Sequence, residues 1–314
     1  MRIAVAGGGR FGAGVFRALL ESQHDVVALL QNGRKTKGYK RRIVPLLDAA
    51  LARSASPAGM AARAGVRIVY IDKMTDSELA PLAALEPDLL VVSGFSIILK
   101  KPLLDLPRVG CINCHSSLLP KHRGPNPFSA VILAAAEESG VTYHIMTEGI
   151  DDGDIVAQFR FPLTEQDDAA TVYQKACEMV RENIVSVVDG VAADGLHGTP
   201  QNPEESTYDK KLTEDQVTID WRRPAQEIQR LVRAGYLVAP ARFKWNGRTV
   251  FLWRAEFDAT PVQARPATIA ANTPNVVVAT GKGTVRVLNA FVRRPFPWVW
   301  PPLSRRPKIG TILK

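Results

Sequence analysis

An α/β region built on a mostly parallel sheet with helices on both faces, followed by a smaller β-barrel domain, is predicted by three observations. Over residues 1–194, short apolar runs alternate with segments whose apolar residues recur at helical spacing, the pattern of successive βαβ units. At residues 195–206 the composition breaks into Gly195, Gly198, Pro200, Gln201, Asn202 and Pro203, which reads as a linker. In residues 207–314 the period becomes that of short strands, and Asn246-Gly247 between two β-rich stretches is a hairpin signal.

The elements follow in order. Residues 2–6 read as a buried strand, 11–21 as a helix with Val15, Leu19 and Leu20 on its apolar face, and 26–30 as a second strand, a Rossmann-like opening. Between the first two lies Gly7-Gly8-Gly9-Arg10-Phe11-Gly12, a literal G-x-G-x-x-G. The dinucleotide fingerprint also needs an acidic residue after the second strand to hold a ribose, and Gln31-Asn32 stands there instead. The turn is read as letting the backbone pass close to the sheet or to a phosphate-bearing substrate. An NADP-linked oxidoreductase is the rival reading, because Arg34 and Lys35 suit a 2′-phosphate.

Residues 35–42 form a basic loop, 43–53 a helix that stops near Ser54-Ala55-Ser56-Pro57, 66–71 a strand, 77–85 a helix and 88–92 a fourth strand. Residues 94–99 are too apolar for an exposed loop. A strand over 109–112 ends at Asn113-Cys114-His115, a helix covers 128–138, and strands at 141–146 and 155–161 complete the sheet. A long helix over 167–191 is started by Asp167 and Asp168 and striped by Val172, Ala176, Met179, Val180, Ile184 and Val187. Past the linker come a helix over 225–234, the Asn246-Gly247 hairpin, and strands 275–279 and 284–288 about Thr280-Gly281-Lys282-Gly283, which together make a small barrel.

Composition narrows the function classes. The chain has 314 residues, 46% apolar and 23% charged, as in an ordinary globular protein. Its longest purely apolar run, residues 130–136, falls well short of the ~18 residues of a membrane span, so no membrane partner is expected. Residues 1–6 run into glycines without a signal-peptide core, which makes the expected location cytoplasmic. Three cysteines give no disulfide framework; Cys111 and Cys114 read as strand core and filler, not as a zinc pair. The net charge of +9 is clustered in Arg34, Lys35, Lys37, Lys40, Arg41 and Arg42, and again in Arg293, Arg294, Arg305, Arg306 and Lys308, a distribution that suits a polyanion. A non-catalytic nucleic-acid-binding protein is the reading that charge alone supports.

Chemistry concentrates between residues 109 and 155. Asn113 and His115 stand where an apolar strand meets a loop, and Asp151, Asp152 and Asp154 occupy a turn-rich loop after the next strand. An amide, an imidazole and a carboxylate can together hold an oxyanion and move a proton. His144, inside a strand, is the rival imidazole and reads as a packing or supporting residue. The His and Asp residues lack the ligand clusters of hydrolytic metal sites, so no metal is expected.

Asn113-x-His115-x-Ser117-Leu118-Leu119-Pro120, then Arg123-Gly124, Pro127, Gly140-Val141-Thr142 and Asp151-x-Gly153-Asp154, resemble the signature of the folate-dependent formyltransferases. Thr207-Tyr208-Asp209-Lys210-Lys211-Leu212, Ile219-Asp220-Trp221 and residues 250–253 look like the second domain of the tRNA-formylating members, a barrel of OB type. The resemblance implies transfer of a formyl group from 10-formyltetrahydrofolate to a primary amine, with Asn113, His115 and Asp151 catalytic. It implies folate contacts from Phe95, Ile97, Ile98, Leu99, Ser117, Leu118, Leu119, Pro120 and Ile150. The basic residues Arg10, Arg34, Lys35, Lys40, Arg41 and Arg123 are the expected acceptor contacts, because the loop over residues 34–42 follows a strand on the site's side of the sheet. The acceptor that the resemblance favours is initiator methionyl-tRNA. The alternative is a nucleotide-linked amino sugar, towards which Tyr143-His144 and Ile155-Val156-Ala157-Gln158 lean.

Overall fold

The apolar runs of the first part assemble into one seven-stranded sheet. A computed structural model describes residues 1–34, 36–51, 56–236, 238–292, 298–300 and 307–313. The strands are β1 (Arg2–Gly7), β2 (Asp25–Asn32), β3 (Arg67–Ile71), β4 (Leu89–Ser93), β5 (Gly110–His115), β6 (Glu138–Ile145) and β7 (Ile155–Pro162). Their order is β3-β2-β1-β4-β5-β6-β7; the pairings from β3 to β5 are parallel, and β5 to β6 and β6 to β7 are antiparallel. The expected mostly parallel, Rossmann-like sheet is present.

Strand alternation sets the two faces. Ala4 and Ala6 of β1 join a buried cluster with Ala28, Leu30, Leu90 and Val92, covered by Leu79 and Leu82 of α4 (Asp76–Ala83) and Leu103 of α5 (Lys101–Leu104). Ile3 and Val5 point the other way. On that side packs α1 (Gly9–Leu20), whose Val15, Phe16 and Leu19 are completely buried and belong to no part of that cluster.

The glycine turn between β1 and α1 is explained by crowding. A Cβ on Gly12 would lie 2.8 Å from the Gly7 backbone and 2.8 Å from the Ser93 carbonyl oxygen, so only glycine lets helix and sheet approach. The first turn of α1 is already bonded: the Phe11 N–H donates to the Tyr173 hydroxyl at 3.0 Å. A pyrophosphate needs those donors, so this geometry favours the close-packing reading of the turn over the dinucleotide one.

Three element boundaries differ from expectation. The basic stretch is partly helical, because α2 (Lys40–Ala50) starts at Lys40 and takes in Arg41 and Arg42. An unexpected α3 (Pro57–Ala64) follows, with Ser56 accepting the Gly59 N–H as N-cap and Pro57 in the first turn. The helix α6 (Pro127–Leu133) is shorter than expected, and Glu138 opens β6 instead.

The chain packs as two compact units: Met1–Gly124 with Glu138–Pro162 and Tyr173–Tyr208, and Pro125–Glu137 with Leu163–Val172 and Asp209–Lys314. The long helix α7 (Ala169–Asp194) begins where Asp168 Oδ1 accepts the N–H groups of Ala170 and Thr171. In the second unit α8 (Ala225–Gly235) lies against β8 (Ala241–Trp245), β9 (Arg248–Asp258) and β12 (Thr284–Val292). With β10 (Ile269–Ala271), β11 (Val277–Ala279) and β13 (Trp298–Trp300) these form an antiparallel sheet of order β10-β11-β12-β9-β8, with β13 on β12. The expected hairpin is there: Asn246 and Gly247 both take positive φ, 46° and 73°, between β8 and β9. Ile228 and Val232 of α8 pack with Phe243, Leu252 and Trp300 in its core. Among the described residues no helix is long and apolar enough to cross a membrane.

Candidate active site

The register of two strands gathers the polar cluster. β5 does not stop at Ile112 as its apolar pattern suggested; it continues through His115, so Asn113 and His115, two apart, share one face. Asn113 pairs directly with His144 of the antiparallel β6, which brings a second imidazole to the same face. Asp151 arrives on the following loop. It adopts a left-handed φ of 53°, which an Asp tolerates better than most residues. Gly153 is needed two residues on, because a Cβ there would meet the Ile145 carbonyl oxygen at 2.0 Å.

The partners fix the protonation pattern. A carbonyl only accepts, so His115 donates Nε2–H to His122 O (2.9 Å), leaving a bare Nδ1 that faces Asp151 Oδ2 across 3.6 Å. His144 likewise donates Nδ1–H to Ile145 O (2.9 Å), and its Nε2 lies 3.1 Å from Asn113 Nδ2 and 3.5 Å from Asp151 Oδ1. The other Asn113 amide hydrogen points to Asp151 Oδ1 at 3.3 Å, and Asp151 Oδ2 accepts the Gly124 N–H at 2.9 Å.

Electrostatics follow from this packing. Burial alone would raise the Asp151 carboxyl, but the side chain of His144, the charge of His115 and the Gly124 N–H outweigh it and hold it at about 2. Burial pushes the His115 imidazole below its ordinary value, against the opposing pull of Asp151 and of the bond to His122, so the ring is neutral at pH 7. The arrangement therefore sets a neutral proton acceptor beside a fixed negative charge and an amide donor.

The other loop carboxylates are placed differently. Asp152 is exposed and accepts from the Thr147 hydroxyl, while the Asp154 carbonyl accepts the Ile145 N–H at 2.9 Å. Cys111 and Cys114 are buried and, three residues apart on β5, fall on opposite faces.

Of the apolar residues expected around a folate, Ile98 and Ile150 are exposed, and Phe95, Ile97, Leu118 and Pro120 are half-buried. Leu99, Ser117 and Leu119 are buried and present almost no surface to a ligand. Ser117 is used internally, its hydroxyl donating to the Lys121 carbonyl at 2.8 Å. Phe95, Ile97 and Met146 pack on the same buried cluster, so the loops after β4 and β6 flank β5 together.

The expected acceptor residues divide. Arg34 is paired with Asp72 at 2.6 Å, and Arg41 donates to Thr36 O and Gly33 O while its guanidinium lies 4.9 Å from the Tyr70 ring centre. Arg123 directs Nε and Nη2 at Gln201 Oε1, 3.2 and 2.7 Å away. Arg10, Lys40 and also Lys37 and Arg42 are exposed and make no ion pair among the described residues. Lys35, and Arg293, Arg294, Arg305 and Arg306 of the tail, lie outside the described residues.

Sequence reasoning missed the stretch beyond residue 195. Instead of hanging free as a linker, it bonds to the first unit: Thr199 bridges Ile155, and Gln201 donates to the carbonyls of Asp151 and Gly153. Its Gly, Pro, Asn and Gln content is the same in a linker and in a segment held by backbone carbonyls, so composition carried no signal.

The profile of the formyl transferase family matches residues 1–188, and that of the formyl transferase C-terminal domain matches residues 211–292. The methionyl-tRNA formyltransferase of Pseudomonas syringae pv. syringae (strain B728a) is 33% identical over 320 residues, spanning 100% of this chain and 98% of that protein. Among solved structures, the N-formyltransferase from Helicobacter canadensis in complex with folinic acid and dTDP-3-aminofucose is similar at TM-score 0.65 and 18% identity, covering 91% of this chain and 98% of that one. HypX from Aquifex aeolicus in complex with tetrahydrofolic acid is similar at TM-score 0.62 and 19% identity, covering 96% of this chain and 46% of that one. At such identities these two likenesses show a shared fold.

Proposed function

The chain is a member of the formyl transferase family, and from that premise we propose that it transfers the formyl group of 10-formyltetrahydrofolate to the amino group of methionyl-tRNA. The observation that carries this reading is the end-to-end relation to a methionyl-tRNA formyltransferase, 33% identical over 100% of this chain and 98% of that protein.

The cluster suits the chemistry. When bound, the folate supplies an electrophilic formyl carbon with an amine leaving group. Asn113 donates an amide hydrogen to the formyl oxygen as it becomes negative. The hydrogen now aimed at Asp151 over 3.3 Å has the longer of the amide's two bonds and is the one released for that task. The attacking amine loses a proton and the departing nitrogen gains one. His115, with a bare Nδ1, and Asp151, ionised down to about pH 2, carry that proton across.

Partly exposed Phe95, Ile97, Leu118 and Ile150 beside β5 fit one face of a flat heterocycle. For the acceptor, Arg10, Lys40, Lys37 and Arg42 offer uncompensated charge to nucleic-acid phosphates. Arg34, Arg41 and Arg123 act through the loops that they hold. Purified protein with 10-formyltetrahydrofolate is to be offered initiator methionyl-tRNA and nucleotide-linked amino sugars in parallel. Formylation of the tRNA is expected; formylation of an amino sugar alone would overturn the acceptor assignment, and of neither the reaction.

A further inference from the structure

We propose that Gln201 is a positioning residue for Asp151, and that residues 198–208 form a strap that sets the distance between Asp151 and His115; the catalytic importance of that distance rests on the proposed formyl transfer. The side chain of Gln201 is bonded at every position that it has. Its two Nε2 hydrogens go to the carbonyls of Asp151 (2.9 Å) and Gly153 (2.7 Å), and its Oε1 accepts both Nε and Nη2 of Arg123. No other residue type fits. Glu has no hydrogen for the two carbonyls, Asn is one methylene shorter, and Lys has no acceptor for the guanidinium.

The carbonyl of Asp151 needs such a partner. Its left-handed φ of 53° takes it out of any strand or helix ladder, and this conformation persists only where the surroundings over-determine it. Gln201 bonds on both sides of Asp152 and so spans the turn. Arg123, which holds Gln201 from the other end, precedes Gly124, whose N–H bonds Asp151 Oδ2. One chain of contacts thus fixes both the backbone and the carboxylate of Asp151.

The same strap reaches the imidazole. The Thr207 hydroxyl accepts the His122 N–H at 2.8 Å, and the Thr207 carbonyl accepts the Arg123 N–H at 2.9 Å. His122 is the residue whose carbonyl holds His115 Nε2. At its near end Thr199 exchanges two backbone bonds with Ile155, of 2.8 and 2.9 Å, and Gly198 lies against Asp154. The strap therefore ties together the loop that carries Asp151 and the loop that orients His115. A misplacement of about 1 Å between reacting groups can cost ~10²-fold in rate, so such a tie matters through the geometry that it sets.

The test uses Gln201→Met, which keeps the shape and loses the bonds, Gln201→Glu, which keeps only the bonds from Arg123, and Thr207→Val at the exposed far end. Activity is measured as kcat and KM, and the His115 imidazole is titrated by NMR in the free protein. The expected result is a roughly 10- to 100-fold fall in kcat for both Gln201 variants with KM within threefold. Thr207→Val should give a smaller fall. The His115 titration should move lower in the Gln201 variants, because a displaced Asp151 no longer opposes the effect of burial. An unmoved His115 titration overturns the strap whatever the reaction proves to be, and so does a fall in kcat that merely follows a drop in thermal stability. If the wild type formylates nothing, the titration still decides the strap.

Discussion

The face of β5 and the helix α2 carry the chain's two most chemically loaded stretches, and they are built in opposite ways. On β5 and the loop that faces it the three polar groups are held: Asn113 by His144 and Asp151, His115 by the His122 carbonyl, and Asp151 by Gly124. On α2 and the turn before it Tyr39, Ile43, Leu46 and Leu47 are exposed, and Lys40 and Arg42 have no ion pair among the described residues. The difference matches the two tasks proposed for these stretches. Groups that act on a developing charge gain from being fixed beforehand, whereas groups that meet a large flexible partner gain from freedom to adjust.

The largest effect that this contrast predicts lies on β5. Asn113→Ala and His115→Ala should each lower kcat by ~10²–10³ while melting within a few degrees of wild type, as expected for loss of a preorganised donor. Near-normal turnover in either variant would remove β5 from the chemistry and leave the comparison without its first half.

The next effect is on stability in acid. The Asp151 carboxyl lies at about 2 in the fold against an ordinary 3.8, so it contributes about 2 kcal/mol above pH ~4 that is lost as the pH falls towards 2. His115, also held below its ordinary value of 6.5, favours the fold above that pH and less so as the pH falls from it. Asp151→Asn should flatten the lower part of the acid unfolding profile between pH 4 and 2. An unchanged slope there would show that the carboxylate is not held as the structure has it.

The smallest effect is on α2. Replacing Lys37, Lys40 and Arg42 with Ala should raise KM for methionyl-tRNA and flatten its dependence on log salt by ~0.7–0.9 for each phosphate that is no longer neutralised, with kcat on saturating substrate unchanged. An equal flattening of the salt slope in Arg34→Ala or Arg41→Ala would show that pairing with Asp72 and Tyr70 does not withdraw those charges, and would blur the distinction within the basic stretch.

The legible and the hidden parts divide along physical lines. Buried strands announce themselves by apolar runs and the β8–β9 hairpin by Asn-Gly, because those signals are local. Asn113, His115 and Asp151 were visible as polar residues in strand and turn settings where packing alone gives no reason for them. The extension of β5 to His115 was not visible, since a strand face that carries polar groups has no apolar pattern to read. The arrival of His144 depends on the β5–β6 register, and the grip of Gln201 on Asp151 joins residues fifty positions apart. The charge count ranked Arg34, Arg41 and Lys40 alike; only the positions of Asp72, Thr36 and Tyr70 distinguish them.

The phenol of Tyr173 on the first turn of α1 bears on discrimination. A free helix start after a glycine turn is a general receptor for phosphate, and solutions around enzymes hold inorganic phosphate and nucleotides in excess over any tRNA. Here one of its donors, the Phe11 N–H, is already taken by an oxygen covalently part of the chain, a bond that needs no ligand. A small phosphate at this turn would have to displace that phenol to reach the Phe11 N–H, which lowers what the glycine motif can offer it.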